Sequence, residues 1–220
     1  MSGEKMETHQ KNEGELEVSD EFDFNDSENM LQFKIVYWGP GESGKTTNFF
    51  RLREKFDLLK LSRGYSIETT EGRTLWEDSL YLLFKFTLRN VKFNIIAHVV
   101  TCTGQERFLS TREYVLDGAD GIVFVGDSDP DKIEQNKRSF RELVSFASPK
   151  NIPYLVQLNK RDLENAVGIP KFKAALGLPL LETYPDGTNI VYPAEALQGK
   201  NVVECFKHII LQAIFNYFQE

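Results

Sequence analysis

The sequence predicts an α/β domain built on a mainly parallel sheet of about six strands, with one antiparallel hairpin strand and helices on both faces. Three observations carry that expectation. An apolar run enters a glycine-rich turn and then a helical stretch. Two alternating segments flank a two-residue turn. Beyond residue 104, short apolar strands alternate with helical patterns, which implies parallel strands joined by right-handed crossovers.

The first strand is QFKIVYWG, starting at Gln32 and ending in Gly39, short and apolar enough to be buried. Helical character follows from Lys45 to about Lys55. The segments LYLLFKFTL and VKFNIIAHVV, separated by Arg89 and Asn90, form a hairpin in which Leu80, Leu82, Phe84, Phe86 and Leu88 share one face. This is the only antiparallel pair expected. GIVFVGD, IPYLVQLNK and NIVYPAE then read as strands, with helices near 131–147 and 201–218. In the last helix Val203, Phe206, Ile210, Ile214 and Tyr217 recur at helical spacing, as a core-packing face would.

Charge divides the chain. Residues 1–31 hold ten acidic and two basic side chains, so they carry more than the whole net charge of -7, and the remainder, 32–220, is nearly neutral. The first segment has too few apolar groups to offset the entropy of ordering, and is expected to be an acidic disordered tail ahead of one domain. The domain lacks the basic stripe of a nucleic-acid surface. Cys102 and Cys205 are too few and too far apart for a disulfide framework or a metal pair, which suits a reducing cytoplasm. No apolar run approaches a membrane span, and neither end carries a lipidation signature, so no direct membrane anchor is expected.

Two motifs carry chemistry. Gly39, Pro40, Gly41, Glu42, Ser43, Gly44, Lys45 and Thr46, followed by Thr47, match the phosphate-loop pattern. Glycines allow backbone amides to turn toward phosphates, the following helix offers its positive N-terminus, Lys45 supplies a point charge, and the Thr46 hydroxyl suits magnesium. The pattern alone does not separate ATP from GTP. The second motif does: LNKRDL places Asn159, Lys160 and Asp162 at the carboxyl end of a parallel strand. The Asp162 carboxylate can accept two hydrogen bonds from the guanine ring nitrogen and its exocyclic amine, whereas adenine offers an acceptor and a bare carbon there. Such a site rejects the wrong analogue by about four orders of magnitude. Lys160 is expected along the base, Asn159 as a brace, and Ala194 as a backbone amide for the guanine oxygen.

The segment TCTGQERF resembles the small-GTPase form DTAGQERF, with Thr101 in place of the aspartate. Together with GPGESGKTTN, EGRTL, GADGIVFVGDS and YLVQLNKRDL, it makes the chain similar to the MglA-like small GTPases of bacteria and archaea, from Phe33 to the C-terminus. The resemblance implies a Ras-like G domain that binds GTP or GDP with Mg2+. It implies Gln105 as the residue orienting the attacking water, Gly104 as a γ-phosphate amide, Arg73 as an intrinsic arginine finger and Thr74 as a switch hydroxyl on magnesium. It also implies a roadblock-fold protein regulator and a role in polarity or motility. Gly72 and Glu195 depart from the family pattern. Two readings remain: a switch that hydrolyses GTP slowly, and a nucleotide-locked binding module that does not cycle. An ATP-dependent enzyme would require Asn159, Lys160 and Asp162 to be coincidental.

Overall fold

The computed structural model describes residues 14–17, 29–56, 79–102, 114–183 and 187–219. Its elements run β1 (Gly14–Glu17), β2 (Met30–Trp38), α1 (Lys45–Lys55), β3 (Ser79–Leu88), β4 (Val91–Thr101), β5 (Gly121–Asp127), α2 (Ile133–Ala147), β6 (Tyr154–Asn159), α3 (Ile169–Leu176), β7 (Tyr192–Pro193) and α4 (Val202–Gln219). The strands form one sheet in the order β1-β3-β4-β2-β5-β6-β7. The steps from β4 through β2, β5 and β6 to β7 are parallel, and β3 pairs antiparallel with β4. This is the mainly parallel, Ras-like arrangement that the sequence predicts.

The hairpin turns where expected. Arg89 and Asn90 both have positive φ, 49° and 65°. That is the geometry a two-residue turn needs to match the right-handed twist of its strands. Leu80, Leu82, Phe84 and Phe86 all point to one side and are fully buried.

The structure departs from the expectation at β1, at the start of β2 and at α3. Gly14–Glu17, within the segment read as a tail, pairs antiparallel with Lys85–Leu88, so the sheet has a seventh strand and a second antiparallel pair. A backbone ladder asks only for N–H and C=O groups, so the short sequence Gly-Glu-Leu-Glu, which shows no strand-like apolar pattern, can still extend a sheet edge. β2 also begins at Met30, two residues ahead of the expected boundary. The third is α3, eight residues that the sequence reading passed over. Its signals are local: Pro170 in the first turn and Gly177 at the end, at φ 72°.

A core lies on each face of the sheet. On one, α1 and α4 cover Ile35, Val123, Leu155 and the inward side of β3. On the other, α2 and α3 cover Val36, Ile122, Val156 and Leu158. In α4, Phe206, Ile210 and Ile214 pack into the first core as read from the sequence, joined by Cys205 and Ile209, while Tyr217 lies outside it. β5 is buried along its whole length. The carboxyl ends of β2, β5 and β6 consequently meet at one edge of the sheet, where α1 begins.

Candidate functional site

The loop between β2 and α1 turns on two glycines that no other residue can replace. Gly39 has φ 153°, and a Cβ there would lie 2.3 Å from the Val125 carbonyl oxygen of β5. Gly44 has φ 99°, and a Cβ would lie 2.2 Å from Asn159 Nδ2 of β6. The loop is thus pressed against both neighbouring strand ends, which is why it needs bare backbone.

Asn159 explains the close approach. Its Nδ2 donates to the Ser43 carbonyl at 2.9 Å, and its Oδ1 accepts from the Ala196 N–H at 2.8 Å. One partner can only accept and the other only donate, so the amide orientation is fixed by chemistry. In a trans peptide the C=O and N–H point in opposite directions. Holding the Ser43 carbonyl on Asn159 therefore aims the Gly44 N–H the other way, into the loop. Gly44 is the N-cap of α1 and no side chain caps the helix, nor does an acidic residue occupy its first turn. The positive end of the helix thus carries no side-chain cap and no acidic charge in its first turn, which suits an anion.

Lys45 is buried and turns back into the loop, where its ammonium donates to the carbonyls of Gly39 at 3.1 Å and Pro40 at 2.6 Å. This places a positive charge at the centre of the loop. Thr46 and Thr47 follow on the first turn of α1, both half-buried. Glu42, at φ 65°, carries its carboxylate outward to Lys132 at 3.2 Å, so the residue contributes backbone to the loop and its side chain to the next connection. Gly41 is half-buried beside it.

The base-reading corner is similarly braced. Lys160 adopts φ 61° and its ammonium meets Asp127 Oδ2 at 2.7 Å. Asp127 is fully buried at the end of β5, with its N–H and C=O both held by Asn136. The charge of Lys160 is therefore fixed on the protein, which leaves its aliphatic stem as the part outside the ion pair. Arg161 donates to Ser128 Oγ and the Val167 carbonyl, tying the turn down. Asp162 is exposed, and among the described residues nothing engages its carboxylate. An unengaged carboxylate held on a rigid turn is what guanine recognition requires.

Ala194 corrects the sequence reading. Its N–H is already used, donating to the Leu158 carbonyl at 2.8 Å in the β6–β7 pairing, and its carbonyl accepts from Arg161. It has no free amide for a guanine oxygen. Two residues on, Ala196 opens a short helical turn and meets Asn159 directly. The departure at Glu195 is explained here as well: its carboxylate pairs with Lys200 at 2.6 Å across a small bridge that closes the loop. Sequence reasoning missed Asp127, Ser128 and Ala196, which carry no motif and become visible only through their partners.

Comparison with known proteins agrees with this geometry. The model of the ADP-ribosylation factor family matches residues 24–213. The chain belongs to this family. It is 37% identical to the mutual gliding-motility protein MglA of Myxococcus xanthus over 158 residues, 69% of this chain and 79% of the relative. It is 29% identical to human ADP-ribosylation factor-like protein 4C over 186 residues, 82% of this chain and 88% of the relative. It is 26% identical to the small COPII coat GTPase SAR1 of Giardia intestinalis over 182 residues, 79% and 85% respectively. As an MglA-like small GTPase of the ADP-ribosylation factor family, the protein binds guanine nucleotide, and the loop and strand ends described above are the parts available to do so.

Four expected site residues of this GTPase, Arg73, Thr74, Gly104 and Gln105, lie outside the described residues. Among the described residues no helix is long and apolar enough to cross a membrane.

Proposed function

We propose that this GTPase is a molecular switch that binds GTP with Mg2+, hydrolyses it slowly by itself, and acts in polarity, motility or trafficking through a protein regulator of the roadblock-fold type. The observation that carries the nucleotide site is Asn159, one side chain bonded at once to the phosphate loop and to the loop beside the base. Such a bracket couples the two halves of a nucleotide: the phosphates lie against the N–H groups of Gly44 to Thr47 and Lys45, and the purine edge meets Asp162.

In this reading Gln105 orients the attacking water, the Gly104 N–H and the Thr74 hydroxyl follow the γ-phosphate, and Arg73 supplies charge within the chain to the transferred phosphate, a contribution of about three to five orders of magnitude. Loss of the γ-phosphate then releases the segments that carry them, which a partner reads. Magnesium fits the residues present. Thr46 offers a hydroxyl at the first turn of α1, and Thr101, buried at the end of β4, replaces a carboxylate. Among the described residues the set offers hydroxyl oxygens and no carboxylate at these two positions, so the phosphates and waters would supply most ligands and the ion would be held more weakly. Held there, magnesium would supply positive charge to the phosphates. Thr101 also favours a second reading, a nucleotide-locked module with little turnover, since weaker metal retention slows hydrolysis.

Competition of labelled GDP by GTP, ATP and xanthosine triphosphate tests the base site. Guanosine forms should compete and ATP should not. Asp162→Asn should shift preference toward xanthosine forms, because an amide can donate to the oxygen that replaces the guanine amine. Equal competition by ATP refutes the reading. Single-turnover hydrolysis separates switch from locked module: Gln105→Leu should keep GTP binding and slow hydrolysis by about tenfold or more. An unchanged rate removes Gln105 from the mechanism.

A further inference from the structure

Beneath the phosphate loop, inside the apolar core covered by α1 and α4, four polar side chains are buried together: Tyr37 on β2, Asn48 on α1, Gln157 on β6 and Cys205 on α4. Polar atoms left unpaired in such a core are destabilising. Two of these are unpaired among the described residues, Tyr37 Oη and Gln157 Oε1. An all-apolar core would avoid that cost.

The hydrogen bonds in this group run in one direction. The Gly44 carbonyl can only accept, and it takes the Asn48 backbone N–H at 2.9 Å and Asn48 Nδ2 at 2.9 Å. Asn48 Oδ1 is then left facing β6, where Gln157 Nε2 donates to it at 3.0 Å. Turning either amide over would set oxygen against oxygen, so the Gly44 carbonyl dictates the orientation of both. Gln157 also lies near the Cys205 thiol, which burial pushes up to about 12 and keeps protonated.

The peptide that this chain of bonds grips is Gly44–Lys45. Because its C=O and N–H are antiparallel, holding the carbonyl along α1 aims the Lys45 N–H out of the helix start, where an anion sits. Asn159 does the same for the preceding peptide. We propose that Gln157 is a positioning residue for guanine-nucleotide retention, acting through Asn48 on the Gly44–Lys45 peptide of the phosphate loop. The proposal rests on the nucleotide-binding reading of that loop. Without the Gln157 donor, Asn48 Oδ1 is orphaned, and the Asn48 amide gains by rotating away from Gly44.

The test uses the full chain loaded with fluorescent GDP in magnesium buffer and chased with excess GDP. Gln157→Met keeps a long unbranched side chain and removes the donor. Release should accelerate roughly tenfold, the effect of losing one or two hydrogen bonds. Asn48→Ala should accelerate it similarly, and the double variant should release no faster than the quicker single one. Urea unfolding of each variant is measured alongside. A lowered urea midpoint with unchanged release, or additive release in the double variant, overturns the proposal. Should Gln157→Met not fold, Gln157→Leu paired with Asn48→Ala gives the same cycle. Failure of the wild-type chain to hold GDP would refute the nucleotide site itself, an outcome distinct from intact wild-type binding with an indifferent Gln157 variant.

Discussion

Replacing Asn159 by alanine removes both bonds of the bracket at once. The side chain is 3% exposed, and its loss leaves the Ser43 carbonyl and the Ala196 N–H buried without a partner. Each orphaned group costs about 1–3 kcal/mol, so the loop and the base corner together lose roughly 2–6 kcal/mol of organisation. Part of this appears as lost stability and part as lost affinity, since the Gly44 N–H is no longer aimed. If about half of the cost falls on affinity, GDP affinity measured by calorimetry should drop by roughly 5-fold or more, each factor of ten corresponding to about 1.4 kcal/mol. Asn159→Asp separates the two contacts. A carboxylate still accepts from the Ala196 N–H and sets negative charge against the Ser43 carbonyl, so it should retain more of the urea stability than alanine yet bind GDP no better. A GDP affinity within twofold of wild type in Asn159→Ala would show that the bracket does not organise the phosphate loop.

Gly39→Ala forces a Cβ to within 2.3 Å of the Val125 carbonyl in a backbone conformation that side chains avoid, so thermal unfolding should fall sharply or the variant should be insoluble; a wild-type melting curve would show that β5 can yield. Asp127→Ala strands the partly exposed Lys160 ammonium and opens the base corner. Guanine nucleotide release, followed by fluorescence, should quicken by several-fold to tenfold, whereas unchanged release would leave the ion pair without a role in the site. Cys102 and Cys205 are both buried, and the Cys205 thiol is held up at about 12, so a thiol reagent at pH 8 should modify the native protein only after denaturant is added. Rapid labelling of two thiols in the folded protein would contradict that packing.

The sequence alone determined the parts whose physics is local. A glycine-rich loop after an apolar strand must turn its backbone, and the period-two pattern on either side of Arg89 and Asn90 must form a hairpin. A carboxylate three residues beyond Asn159 on a strand end must face the ligand edge of a parallel sheet. The same locality explains the misses. α3 is only eight residues long, and β1 is a four-residue strand whose backbone pairing with β3 has no apolar alternation in the sequence to announce it. Ala194 looked suitable because a small residue near the last strand end suits a close approach. Whether its amide was free depended on Leu158, 36 positions earlier, through a ladder that only the folded sheet makes. The Asp127–Lys160 pair and the Gln157–Asn48–Gly44 chain belong to the same class. Each joins residues far apart in sequence and adjacent at the sheet's carboxyl edge. Hydrogen bonds are short-ranged and directional, so their pairing is settled by tertiary packing, while composition and spacing settle only which groups are on offer.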